Sequence, residues 1–386
     1  MTPAPRVLIV VSADASFDTL NGPRRDYQVL ASALGATILD RRAVRRSPIA
    51  RVLSRIAGPR AAQAWLAFQS RWAYDVVITD GEHVGIPLAL LLRMTRAPIK
   101  HVTIGHRLSS PKKRLFFTAL RADARMDRII VHSRQQFDYA TNELGIVPDR
   151  LTLMPYQVDT DFWSPAPAPV SPEPLVVSAG LEYRDYATLF RAVAGLGVRV
   201  VIGAASPWSS HGADDVAPPP NVEVGRFDYL ALRSLYRRAS VVVVPLSDVD
   251  NQAGVTTLLE AMAVGKPVVV SQSQGQTDVV EDRRSGSRGV PRPRRTSLLR
   301  LVASASGVDP EPNGFYVPPG DHAALRRAIT YLVEHEEERT QLGAAGRRTV
   351  EELVTVDLFA ARVRAIVVGG LEPLADTSVL RRAWYG

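Results

Sequence analysis

Residues 251–270, NQAGVTTLLEAMAVGKPVVV, join a helix start suited to holding an anion with a carboxylate two turns further on. Gly254 opens the helix after the loop SDVDNQA, and Gly265 with Pro267 ends it. Val255, Leu258, Leu259, Met262 and Ala263 repeat at the spacing of one buried helical face. At about 100° per residue Glu260 falls off that stripe and points out of the core. Free amides and the positive dipole end at the helix start suit a diphosphate. The Glu260 carboxylate is then placed to accept both hydroxyls of a ribose, although a solvated surface Glu fits the same periodicity. Asp80 and Glu82 end the run DVVIT and could orient an acceptor hydroxyl, or simply close a polar turn.

These residues need strands to position them. Short runs rich in Val and Ile recur between helical stretches: RVLIVV, DVVIT, IKHVTIG, RIIVHS and LTLMP, then LVVSAG, RVVIGAA, NVEVG, VVVVPL, PVVVS and GFYVPP. Continuous apolar strands alternating with helices predict parallel sheets covered on both faces, in two Rossmann-like, doubly wound α/β domains. The Pro-rich stretch SPAPAPVSPEP at 164–174 reads as the connector between them. This predicts a first domain over 1–165, a second over 166–366, and a tail over 367–386 that could cross back to the first. RRSGSRGVPRPRR at 283–295 reads as a mobile insertion. Open sheets of this kind bind ligands at the carboxyl ends of their strands, so a cleft between two such domains is the expected site.

A chain of 386 residues that is 46% hydrophobic suits about two soluble domains. The amino terminus reads as a first strand and not as a signal peptide, and no apolar stretch approaches the ~18 residues of a membrane span, so a cytoplasmic location is expected. The absence of cysteine removes disulfides, thiolate nucleophiles and zinc-thiolate sites. Of the 47 basic residues 43 are Arg, and the excess lies in one half: net +9 over 1–165 against −1 over 166–386. Residues 41–74 hold eight Arg and no acid. Ile49, Val52, Leu53 and Ile56 form a helical stripe with Arg51 and Arg55 off it, a pattern suited to packing on the first domain or to lying in a membrane interface. PKKRLFF at 111–117 is a second candidate for such contact, which would place the protein at the inner face of the membrane. No nucleic-acid partner is expected.

LLEAMAVGKPVVVS, GQTDVV and GFYVPPGDHAALRRAITYLV, with VVSAGLEYRDYATLFRAV, NVEVGRFDYLALRSLYRRASVVVVP and VHSRQQFDYATNELGIVPDRLTLMPYQVDTDFW upstream, resemble the GT-B glycosyltransferases. The resemblance is to their large retaining group, the family 4-like enzymes and glycosyl transferases group 1, and runs well over about 128–350. It implies that Glu260 binds the nucleotide's ribose and that Gly254, Val255 and Thr256 receive the diphosphate. It also implies that Arg184 stands for the family's diphosphate-binding Lys, with Leu181 where a neighbouring Arg is usual. Gln252 falls where the family has a Glu holding the donor sugar, and Gly254 sits one place early. Gly203 and Arg226 fall on the donor side. In the first domain His106, in VTIGHRLS, matches a His beside the donor sugar, and Gly22, in NGPRRDY, matches a glycine that lets backbone approach phosphate, with Arg24 and Arg25 next to it. Tyr156 and Gln157 replace the usual Asn-Gly.

The function implied is transfer of a sugar from a nucleotide-diphosphate sugar to a hydroxyl of a small molecule, glycan or lipid-linked acceptor, with retained configuration. His106, Arg184 and Gln252 stand nearest the chemistry, Arg24, Asp80 and Glu82 on the acceptor side, with no cofactor beyond the donor itself. Asp248-x-Asp250 has the form of a metal-binding pair but lies inside the donor loop, so no metal is expected. Phosphate-loop, dinucleotide and nucleophile-elbow motifs are missing, which argues against a nucleoside triphosphatase, a nicotinamide dehydrogenase and an esterase. Two alternatives remain: a nucleotide-sugar epimerase on the same fold, and a non-catalytic anion-binding module.

Overall fold

The computed structural model describes residues 4–15, 20–95, 97–167, 173–204, 217–282, 297–308 and 311–369. The expected insertion at 283–295 and most of the expected tail lie outside them.

The chain divides into two compact units, one of residues 1–18, 24–155 and 356–386, the other of 19–23 and 156–355. The first unit holds β1 (Val7–Val11), α1 (Asp26–Leu34), β2 (Thr37–Leu39), α2 (Arg41–Arg46), α3 (Pro48–Ala57), α4 (Pro59–Gln69), β3 (Val76–Asp80), α5 (Glu82–Arg93), β4 (Lys100–Gly105), α6 (Pro111–Thr118), β5 (Arg128–Val131), α7 (Arg134–Asn142) and β6 (Leu151–Leu153). Its sheet has the order β2-β1-β3-β4-β5-β6, all parallel. The second unit holds β7 (Leu175–Ala179), α8 (Tyr186–Val193), β8 (Arg199–Gly203), β9 (Val222–Gly225), α9 (Tyr229–Arg238), β10 (Val241–Val244), α10 (Val255–Ala263), β11 (Val268–Ser271), α11 (Leu298–Ala305), β12 (Gly314–Val317), α12 (His322–Glu334) and α13 (Glu336–Leu353). Its order is β12-β11-β10-β7-β8-β9, again all parallel. A last helix, α14 (Val356–Val368), packs on α1 in the first unit.

The strands form because they are buried on both faces: every residue of β1, β5, β7, β10, β11 and β12 is buried. All eleven expected strands are present. The twelfth, β2, is a three-residue edge strand without a buried side chain, too short and too exposed to register as an apolar run.

The order of each sheet reverses once, between β1 and β3 in the first unit and between β7 and β10 in the second. These are the topological switch points, where two neighbouring strands send their connections to opposite faces and leave a crevice at their carboxyl ends. The loops that matter therefore follow β1, β3, β7 and β10.

The unit boundary differs from the one expected from the Pro-rich stretch. The chain enters the second unit at Tyr156, because Trp163 is buried against Tyr236 and the Arg347 guanidinium donates to the carbonyls of Thr160 and Trp163. Return to the first unit begins at Val356, where Phe359, Val363 and Ile366 join the core beside β1.

Candidate active site

At the switch point of the second unit, the loop after β7 is stitched to the loop after β10. Arg184 and Leu246 form an antiparallel bridge, Asp185 N–H donates to the Pro245 carbonyl at 3.1 Å, and Ser247 N–H donates to that of Tyr183 at 3.1 Å. Here the Arg184 side chain is half-buried. It donates to the carbonyls of Ala179 and Glu182 at 2.9 Å each and to the Thr257 hydroxyl at 3.3 Å. Among the described residues no carboxylate lies within ion-pair distance of it. Desolvation lowers its pKa against the pull of Tyr186, Tyr236, Glu182 and Glu260, yet a guanidinium stays charged, so a half-buried positive charge stands with no carboxylate in direct ion-pair contact among the described residues.

Two glycines make room for it. Gly180 has φ +95°, and a Cβ there would lie 2.6 Å from Arg184 Nη2; Gly254 has φ +77°, and its Cβ would lie 2.6 Å from Val244 and 3.3 Å from the guanidinium. Gly254 is also the N-cap of α10, with no side chain capping that end. The first-turn amides of α10 and the Arg184 charge thus meet at one point, an arrangement that binds an oxyanion.

Along α10, Val255, Leu258, Leu259, Met262 and Ala263 are buried as expected, and only Thr256 and Glu260 are not. These two are four residues apart and share the open face. The Tyr236 hydroxyl donates to Glu260 at 3.4 Å. Beyond the helix start, the loops after β10 and β11 interlock: Gln276 Nε2 donates to the Ala253 carbonyl at 2.9 Å and Gly275 N–H to that of Val249 at 2.8 Å. Four buried polar atoms gather there with no partner among the described residues: Asn251 Oδ1, Gln252 Oε1, Ser273 Oγ and Gln276 Oε1. Buried polar atoms are paired as a rule, so this set calls for a polar ligand or water. Asp248 accepts from the backbone and side-chain amides of Gln274 at 3.0 and 3.3 Å. No group of three His, Asp or Glu capable of holding a metal occurs among the described residues.

In the first unit the carboxyl ends of β3 and β4 carry a charged cluster. His106 Nε2 lies 3.2 Å from Asp80 Oδ1. Burial alone would lower the pKa of His106, but the hydrogen bond and charge of Asp80, with Glu82 and Asp26, prevail and raise it to about 9. The ring is therefore an imidazolium at neutral pH. Asp26, at the start of α1, is pushed up to about 6 by burial and by the Asp80 charge. The His132 ring stacks on that of His106 at 6.0 Å and is held neutral, at about 4, by burial and the His106 charge.

Glu82 does different work from that expected. Its carboxylate is buried, ion-pairs with Lys113, and accepts from the backbone amides of His106 at 2.9 Å and Arg107 at 3.4 Å. Burial raises its pKa, but Lys113 and His106 outweigh that and hold it at about 2. Glu82 thus clamps the loop that carries His106, and its carboxylate is turned inward and buried. Arg24 pairs with Asp357 of α14 at 2.9 Å, and Arg25 N–H donates to Gln28 Oε1 at 2.7 Å at the start of α1, while the Arg25 residue is exposed. Gly22 belongs to the second unit, where a Cβ would press on Tyr229 at 3.0 Å. Arg226 is exposed at the end of edge strand β9, two strands from the switch point, and Gly203 ends β8, its carbonyl accepting from Gly180 N–H at 2.9 Å.

Residues 19–162 match the sequence model of Glycosyltransferase Family 4, and residues 200–349 match that of Glycosyl transferases group 1. The chain is a glycosyltransferase of the GT-B fold. Solved structures agree on the fold. Sucrose-phosphate synthase from Thermosynechococcus elongatus superposes with a TM-score of 0.65 at 18% identity, over 93% of this chain and 97% of that one. A glycosyltransferase from Rickettsia africae gives 0.63 at 13%, over 94% and 98%. Anabaena HepE in complex with UDP gives 0.63 at 14%, over 94% and 100%. A comparison with curated protein sequences gives no match.

In this glycosyltransferase Arg184, Gly254, Thr256 and Glu260 stand together around the start of α10, with Gln252 in the loop before it. The sequence gives no sign of Asn251, Ser273 and Gln276, whose unpaired atoms no motif displays, or of Asp26 and Lys113, which reach their partners only through the fold.

Proposed function

We propose that the second unit binds a nucleoside diphosphate sugar and that the enzyme transfers the sugar to an acceptor hydroxyl, with retention and without a metal ion. One observation carries this reading: the half-buried Arg184 guanidinium has no carboxylate within ion-pair distance among the described residues and stands at the uncapped start of α10, at the switch point of the sheet. Anabaena HepE, similar in fold, is known in complex with UDP and with UDP-glucose.

In this reading Glu260, on the open face of α10, accepts the ribose hydroxyls, and the diphosphate sits between Arg184 and the first-turn amides. As the anomeric C–O bond breaks, the electron pair goes to the departing phosphate oxygen. Arg184 and the amides stabilise that charge without reorganising. The acceptor oxygen forms the new bond, and its proton passes to the phosphate oxygen on the same face. That route needs no side-chain base, which suits an imidazolium at His106, already protonated at neutral pH. The neutral amides and hydroxyl of Asn251, Gln252, Gln276 and Ser273 are suited to sugar hydroxyls. Metal independence is supported by Asp248, whose two carboxylate oxygens are engaged by Gln274.

The test is transfer from a panel of nucleotide sugars, deoxysugars included, in excess chelator, with the anomeric configuration of the product read by NMR. Undiminished transfer with retained configuration is expected. Activity that vanishes with EDTA and returns with manganese or magnesium overturns the metal-free reading, and an inverted product overturns retention.

A further inference from the structure

Residues Asp80-Gly81-Glu82-His83 join β3 to α5 at the switch point of the first unit, with Asp80 in register with Val11 of β1. Glu82 turns inward there, whereas His83 is only half-buried. The His83 imidazole lies against Gly81: a Cβ on that glycine would stand 2.2 Å from Cε1 and 2.7 Å from Nδ1. The φ of Gly81, +118°, is one that other residues rarely adopt, so backbone and ring together reserve the position for glycine. His83 Nε2 is buried and makes no hydrogen bond among the described residues. Buried polar atoms are paired as a rule, which marks this nitrogen for a partner from outside the chain. Burial, with the charges of Arg60 and His106, outweighs Glu82 and Asp80 and holds the ring neutral, its pKa lowered to about 4.

Two further atoms of the same edge are uncommitted. Asp80 meets His106 Nε2 through Oδ1, and neither Asp80 Oδ2 nor His106 Nδ1 has a hydrogen-bond partner among the described residues. The edge therefore presents a carboxylate oxygen that accepts, an imidazolium N–H that donates, and the nitrogen of a neutral imidazole. Its charges are answered within it, Asp80 by His106 and Glu82 by Lys113. On the far side α4 closes the crevice, Gln63 Nε2 donating to the Val11 carbonyl at 2.8 Å one turn after Arg60.

We infer that His83 is a specificity-determining residue of this edge, which takes an uncharged polyol by its neighbouring hydroxyls. A hydroxyl both donates and accepts, so two adjacent hydroxyls satisfy Asp80 Oδ2, His106 Nδ1 and His83 Nε2 together, the ring turning off Gly81 to bring Nε2 to the ligand. Charged groups fit less well: an anion meets Asp80, and an ammonium meets the His106 imidazolium. A neutral ring adds a hydrogen bond without tilting that balance, which Glu82 in the same place would do. Resting on the transfer reading above, this polyol is the acceptor, and the sugar goes to one of its hydroxyls.

The test is NMR of the full chain carrying nitrogen-labelled histidine, with the His83 signal assigned by its loss in His83→Phe. Titration with myo-inositol and with methyl α-glucopyranoside should move the His83 and His106 signals together, while gluconate and glucosamine at the same concentrations should leave them in place. Read at His106, His83→Phe should weaken polyol binding at least about tenfold, and His83→Gln, which keeps a hydrogen-bonding side chain, should weaken it less. Both variants should keep the wild-type circular dichroism and nucleoside diphosphate affinity. No nucleotide sugar takes part, so polyol binding can fail while transfer stands, and can stand while transfer fails. Signals that neither polyol moves, charged analogues that bind as well as the neutral ones, or His83→Phe binding like the wild type overturns the inference.

Discussion

Arg184 and Glu260 show how differently two residues of a candidate site can be written into a sequence. Glu260 is legible because α10 is regular: once five apolar residues define its buried face, an acid off that face needs no structure to place it. The role proposed for Arg184 is not legible from its turn, EYRDY, since what distinguishes it is a half-buried charge with no carboxylate in contact among the described residues, a property of the loops after β7 and β10 together. Glu260→Ala should weaken nucleoside diphosphate binding roughly ten- to a hundredfold, the worth of charge-assisted bonds of about 1.5–3 kcal/mol, while leaving the melting temperature within a few degrees. Calorimetric titration checks this. His106 makes a different prediction. Its folded pKa of about 9 lies above its ordinary 6.5, so its contribution to stability is complete below about pH 6.5 and is lost as pH rises toward 9. Thermal melts from pH 6 to 9.5 should show that decline, and His106→Gln should flatten it.

The elements were legible wherever hydrophobic burial alone decides them. Eleven strands could be read as apolar runs; β2 could not, because three edge residues with no buried side chain leave no pattern. The end of β3 illustrates a subtler limit. Asp80 and Glu82 look alike in DVVITDGEH, yet the first residue ends a strand and faces His106 while the second begins α5 and turns inward to Lys113. Only the fold tells an acid that orients a ring from one that clamps a loop. Since removing one partner of a buried ion pair strands the other, Glu82→Ala should destabilise the first unit by about 3–5 kcal/mol, measurable by urea denaturation. Glu82→Ala melting like the wild type would show that the clamp is dispensable.

At the scale of the whole molecule, two units with parallel sheets and one reversal each place every useful loop before any side chain is considered. The boundary between them was misread because a Pro-rich stretch is a strong local signal, whereas the burial of Trp163 and the return of α14 are long-range packing that local composition does not record. The charge excess of the first half is legible, whereas the exposure of Ile49, Val52 and Ile56 on α3 is visible only in the structure. The central claim, that the switch point of the second unit is built for a nucleoside diphosphate, is tested most directly by calorimetry. UDP, GDP, ADP and dTDP are titrated into the wild type, and the tightest binder into Arg184→Met. The account predicts that at least one of them binds, and that Arg184→Met loses roughly ten- to a hundredfold in affinity or more without a lower melting temperature in the free state. A folded Arg184→Met protein that binds the same nucleotide with unchanged affinity would contradict it.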